Sequence, residues 1–252
     1  MQHILRGVGL RMARYLSRPR PGAQTGMPTL PEHLLQCLRP GDVLLAEGSS
    51  RVSTMIKYLT QSTWSHAAFF VGPQLGGMDD QGEPYLFVEA DMVLGVCKRP
   101  LRHYQPFPTR ICRPSHLSQA DQEQLLRTVI SKIGEQYDLK NIVDLARYLL
   151  PAAPVPGRWR RKMIALGSGD PTRAICSSLI AEAFQSVAYP ILPTITIDQS
   201  EDPKRHRMVT EEAFHIRHNN LYAPRDFDVS PYFEIVKPQL VAGFDYRRIH
   251  WE

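Results

Sequence analysis

The chain has few cysteines. Four occur in 252 residues, at 37, 97, 112 and 176, and no two form a C-x-x-C pair. That excludes a zinc ribbon or a dithiol redox motif as the organising device and gives no sign of a disulfide scaffold. No run approaches the roughly 18 uninterrupted apolar residues that a membrane helix requires. No glycine-rich phosphate loop is present, since Gly167-Ser168-Gly169-Asp170 fits neither the dinucleotide nor the P-loop pattern. There is no internal repeat and no low-complexity tract. Acidic residues are missing from residues 1–22, where Arg6, Arg11, Arg14, Arg18 and Arg20 surround Ile4, Leu5, Val8 and Met12. That segment also lacks a secretory h-region and an A-x-A-like site, so a cleaved signal peptide is not expected. It suits a peripheral contact with an anionic membrane surface, or a solvated, frayed N-terminus.

What is present fits one globular domain with an appendage: 43% hydrophobic residues, 22% charged and a net charge of +5. Residues 1–30 read as a basic segment and a Pro/Gly-rich linker, and 31–252 as the domain. The excess of positive charge alone does not make a nucleic-acid binder; the run Arg158-Trp159-Arg160-Arg161-Lys162 matches no nucleic-acid motif. A cytoplasmic location with peripheral membrane contact is the expectation.

Apolar periodicity gives the order of elements. Short helices are expected over 31–38 and 49–60, the second with Val52, Ile56 and Leu59 on one face. Strands are expected at Val43–Ala46, His66–Gly72, Tyr85–Ala90, Gly95–Leu101, Thr109–Arg113 and Phe233–Lys237. Ser118 caps an amphipathic helix with Leu125, Leu126, Val129, Ile130 and Ile133 on its apolar side, ended by Gly134. A further helix is expected over Leu139–Leu150, stopped by Pro151, and residues 151–170 read as an inserted loop. Strands followed by helices define an α+β class.

The helix expected after Asp170-Pro171-Thr172 carries Ile175, Leu179, Ile180, Ala183, Phe184 and Val187 at helical spacing. Cys176 stands at its start, where unpaired N–H groups and the helix dipole stabilise a thiolate. Residues alone leave two roles for it, nucleophile or small buried hydrophobe. A nucleophilic cysteine needs a base and a group that orients the base. Among nine histidines, His66 opens an apolar strand after Trp64-Ser65. Glu89 lies inside another strand between Leu86-Phe87-Val88 and Ala90, and a buried carboxylate there needs a partner. The alternatives are a structural histidine and an outward-facing glutamate. Glu211, Glu212, His215 and His218 fall at helical spacings, but H-E-x-x-H is absent and no metal site is expected.

An ordered set of short motifs then points to a family. Arg39-Pro40-Gly41-Asp42-Val43-Leu44-Leu45, Trp64-Ser65-His66-Ala67-Ala68, Val88-Glu89-Ala90 with Gly95-Val96, Gly134-Glu135-Gln136-Tyr137-Asp138 and Ile175-Cys176-Ser177-Ser178-Leu179-Ile180 resemble the permuted papain-like, NlpC-type cysteine hydrolases, with the YiiX/YebB-like family nearest. The likeness spans about residues 39–237. It implies a circularly permuted papain-like fold: a central antiparallel sheet packed against helices, with the nucleophile at a helix N-terminus. It further implies Cys176 as nucleophile, His66 as base, Glu89 as the group orienting His66, Tyr137 beside the site, and no cofactor. A peptide or acyl-lipid substrate follows from the same resemblance. Lipid acyl transfer with the same residues, and a non-catalytic lipid- or peptide-binding module, are the other expectations it leaves open.

Overall fold

The computed structural model describes residues 11, 14–20, 26–136, 175–192, 194–202, 207–215, 222–241, 243 and 245–248, with backbone alone at 175–176, 194–202, 207–215 and 248. The expected helix over 139–150, the loop 151–170, Tyr137 and residues 1–10 lie outside the described residues.

The chain order is α1 (Pro31–Cys37), β1 (Val43–Ala46), α2 (Arg51–Thr60), β2 (His66–Phe70), β3 (Tyr85–Asp91), β4 (Gly95–Pro100), β5 (Thr109–Pro114), α3 (Gln119–Ser131), α4 (Ile175–Ser186), β6 (Thr194–Asp202), β7 (Arg207–His215), α5 (Pro224–Val229), β8 (Phe233–Val236) and α6 (Pro238–Val241). Six strands form one sheet in the order β4-β3-β2-β1-β5-β8, with every neighbouring pair antiparallel. β6 and β7 make a separate two-stranded ribbon.

Side chains alternate across a strand, and here both faces of the sheet are covered. Val43, Leu45, Ala67, Phe69, Val88 and Ala90 pack with Leu125 and Val129 of α3 and Leu179, Ile180, Ala183 and Phe184 of α4. Leu44, Ala46, Ala68, Phe70, Phe87 and Ile111 pack on the other side with Leu34 and Cys37 of α1, Leu38, Leu101 and Tyr104. Two-sided burial explains why β1 reads Val-Leu-Leu-Ala with no polar alternation. Phe184 anchors the α4 side: its ring meets Phe69, Tyr189, Phe227 and Phe233 with centroids 5.2–6.4 Å apart.

Local chemistry sets the joints. The turn into β1 is held by Asp42, 1% exposed, which accepts from the Arg39 N–H at 2.8 Å and from the Arg113 fork at 2.9 and 2.8 Å. Ser118 caps α3, accepting from the Asp121 N–H at 3.1 Å. The turn after α3 docks on the sheet edge, the Val96 N–H donating to the Glu135 carbonyl at 2.9 Å. Gly95 allows this: its φ is +75°, and a Cβ there would lie 2.2 Å from that carbonyl oxygen.

Three local expectations are corrected. In α2, Ser53 and Met55 are buried while Val52, Ile56 and Leu59 are half-buried; the helix docks through Ser53 against Gly48, whose missing Cβ makes room for the serine. Ile130 is 37% exposed, off the α3 stripe that Leu125, Leu126 and Val129 bury. The stretch to His215 is strand rather than helix, so no helical grouping of Glu211, Glu212 and His215 arises, and His218 lies outside the described residues.

Candidate active site

His66 is the first residue of β2, paired with Ala46 of β1. The segment before it is fastened on two sides. The Ser65 hydroxyl accepts from the Gly48 N–H at 2.9 Å. The Trp64 indole N–H donates to Asp228 Oδ2 at 3.0 Å, Arg110 donates to Asp228 Oδ1 at 2.6 Å, and its guanidinium stacks 4.9 Å above the Trp64 ring. Trp64 also walls an open, polar pocket lined in part by Lys57, Gln61, Arg110, Arg225 and Asp228. A histidine at the end of so anchored a strand has a fixed backbone and a side chain at the rim, 26% exposed.

Glu89 sits on the adjacent strand, two residues past Phe87, and is 1% exposed. The outward-facing alternative for it is therefore excluded. Its Oε2 lies 2.6 Å from His66 Nε2 and accepts from the Tyr104 hydroxyl at 2.6 Å. Its Oε1 accepts from Arg99 Nε at 2.7 Å, with His103 Nε2 3.7 Å away. Arg99 donates with its other arm to Asp91 Oδ2 at 3.1 Å. Burial pushes the Glu89 carboxyl up, but the positive charges of His66, His103 and Arg99 outweigh it and hold the group well below the usual carboxylate range. Glu89 is thus an ionised acceptor without a proton of its own. Nε2 of His66 then carries the hydrogen, and Nδ1 is the nitrogen at which its neutral and protonated forms differ.

At three neighbouring groups burial is the largest influence. Cys97, cross-strand partner of Glu89, has its thiol pushed up to about 12, chiefly by burial. Tyr104 is raised well above the ordinary phenol value by burial and by Glu89. Burial lowers the His103 pKa.

By parity along the strands, His66 and Glu89 project from the face that carries Ala68, Phe70 and Phe87, while α4 packs on the opposite face. Cys176 is the second residue of the 12-residue helix α4; its side chain lies outside the description, as does all of Tyr137. The structure therefore brings together two of the four residues singled out from sequence, His66 and Glu89. It adds Arg99, Tyr104 and His103, which sequence reading missed. The alternation Cys97-Lys98-Arg99 behind Glu89 was the available signal for Arg99. Tyr104 arrives from a 3-10 turn (Leu101–Tyr104) with no periodic signature. Among the described residues no group of three His, Cys, Asp or Glu could hold a metal ion, and no helix is long and apolar enough to cross a membrane.

No protein-family model matches this chain, and no curated protein matches it. Among solved structures it is similar to the crystal structure of the metalloprotein YiiX from Escherichia coli O157:H7, with 15% sequence identity and a TM-score of 0.44, over 79% of this chain and 96% of that one.

Proposed function

We propose that the protein is a cysteine hydrolase of the permuted papain-like class, cleaving an amide or ester bond through a thioester. The observation that carries this reading is the His66–Glu89 pair: a rim imidazole held at Nε2 by a buried, ionised carboxylate. Such a support favours the imidazolium, and an imidazolium favours a thiolate partner. Cys176 is that partner in this reading. It stands in the first turn of a long helix, where dipole and free N–H groups add to the stabilisation. His66 is the first residue of its strand, with its side chain at the rim, and in this reading a helix start is met there, at the sheet's end.

The chemistry balances without a cofactor. The Cys176 thiolate attacks the carbonyl carbon, a C–S bond forms, and the negative charge passes to the carbonyl oxygen, for which backbone N–H groups at the α4 start are the donors. The intermediate collapses, the C–N or C–O bond breaks, and the leaving group takes the proton from His66 Nδ1. Water then attacks the thioester, His66 takes its proton, and the C–S bond breaks to release the acid. Peptide amides and acyl lipids are the substrate classes that fit. Exclusion of water from the thioester would turn the same steps into acyl transfer. Membrane contact through the basic N-terminus is a separate part of the proposal, resting on residues mostly outside the description.

The test is the alkylation rate of Cys176 by iodoacetamide against pH. Wild type is expected to titrate well below the free thiol value of about 8.5, and His66→Ala to return it there. An ordinary midpoint in folded wild type would make Cys176 structural.

A further inference from the structure

The carboxylate behind His66 does more than accept one hydrogen bond. Oε2 receives two donors, His66 Nε2 and the Tyr104 hydroxyl, both at 2.6 Å. Oε1 receives Arg99 Nε at 2.7 Å. Donors on both oxygens fix the carboxylate plane and so the ring of His66. Tyr104 is itself fixed, 1% exposed, with its ring edge-on to Phe87 at 4.8 Å. Arg99 is fixed by its second arm on Asp91. The groups facing Glu89 are thus His66 from β2, Asp91 on its own strand, Cys97 and Arg99 from β4, and His103 and Tyr104 from the 3-10 turn.

This arrangement bears on the proton of His66, not only on its position. A bare buried carboxylate 2.6 Å away would hold an imidazolium so firmly that it could not release its proton. Each donor drawn onto the carboxylate takes up part of its charge. Arg99 offsets a full negative charge, and Tyr104 competes with His66 for the same oxygen.

We propose that Arg99 and Tyr104 are positioning residues for His66, acting through Glu89, and that they set how readily the imidazole gives up its proton. The proposal rests on the cysteine-hydrolase reading for its purpose, because a general acid must both hold a proton against the thiolate and deliver it to the leaving group.

The experiment is a titration of His66 by its ring nitrogen NMR signals in ¹⁵N-histidine-labelled protein. It compares wild type, Tyr104→Phe, Arg99→Gln, Arg99→Lys and Glu89→Gln, with Cys176 alkylation measured alongside. Wild type should show neutral His66 protonated at Nε2. Tyr104→Phe, which keeps the ring, should move the His66 midpoint up by several tenths of a unit. Arg99→Gln should move it up by about one unit, and Arg99→Lys should restore most of that. Glu89→Gln should move it down. If Arg99→Gln does not fold, Tyr104→Phe still decides the matter. A Tyr104→Phe midpoint that coincides with wild type, and likewise Arg99→Gln where it folds, while Glu89→Gln shifts, would overturn the proposal and leave the hydrolase reading standing. Shifts as expected in every variant, with Cys176 alkylation insensitive to all of them, would sink the hydrolase reading and leave the tuning of His66 intact.

Discussion

Two carboxylates are buried to the same degree, Asp42 and Glu89, each 1% exposed and each on an arginine. Their surroundings send them in opposite directions. At Asp42 burial is the largest influence and the carboxyl is raised despite Arg113 and the Arg39 N–H. At Glu89 burial is again the largest single influence, but His66, His103 and Arg99 together overcome it. Asp42 joins a turn to β5, and its partner Arg113 also donates to the Cys37 carbonyl at the end of α1. Glu89 backs a half-exposed imidazole. An arginine-paired carboxylate in a core is not in itself a functional sign; a titratable group reaching solvent on the other side of it is.

The comparison can be broken at either carboxylate. Arg113→Ala strands Asp42 as a buried charge and is expected to destabilise by about 3–5 kcal/mol, read by urea denaturation, without changing the pH midpoint of Cys176 alkylation. His66→Ala leaves Arg99 and the Tyr104 hydroxyl on Glu89 and is expected to do what Arg113→Ala does not: slow alkylation at neutral pH at least about tenfold. A change of thiol midpoint in Arg113→Ala, or none in His66→Ala, would erase the distinction.

Linkage sharpens it further. Glu89 has its folded pKa depressed, so its contribution to stability is present above the unfolded carboxylate value of about 4.3 and is lost as pH falls below that towards the folded value. Asp42 has its folded pKa raised, so its contribution is full below about 3.9 and is lost as pH rises through the folded value. Stability measured against pH should therefore show the margin of wild type over Glu89→Gln growing with pH in the acid range, and the margin over Asp42→Asn shrinking. Slopes of the same sign would contradict the opposed environments. As a reference remote from both sites, Ser118→Ala should remove the α3 cap and cost about 1 kcal/mol at all these pH values.

Much of the fold was legible because it rests on period and punctuation. Continuous apolar runs marked the central strands, and Ser118 marked the start of α3. The β6–β7 ribbon was missed because its apolar alternation is short, Ile195 and Ile197 at the start of β6, and the rest of β6 is polar and charged. α5 was missed because six residues beginning with Pro224 carry too short a pattern. At the site, His66 and Glu89 were legible as oddities in apolar strands, and the family resemblance related them. Arg99, Tyr104 and His103 were not, since what unites them is convergence on one carboxylate across three segments. Tyr137 and the side chain of Cys176 lie outside the described residues.

The Asp228 clasp has a consequence for how the protein is made. The carboxylate that holds Trp64 and Arg110 lies 164 residues after Trp64 in the chain. On a ribosome adding about 5–20 residues per second, β2 leaves the tunnel many seconds before its clasp exists. During that interval the start of β2 has its hydrogen bonds to β1 but not the indole anchor beside His66. Strands β1 to β5 of the nascent sheet can pair early, while the setting of the histidine is completed only once α5 arrives, so an immature chain would carry His66 and Glu89 without the indole anchor.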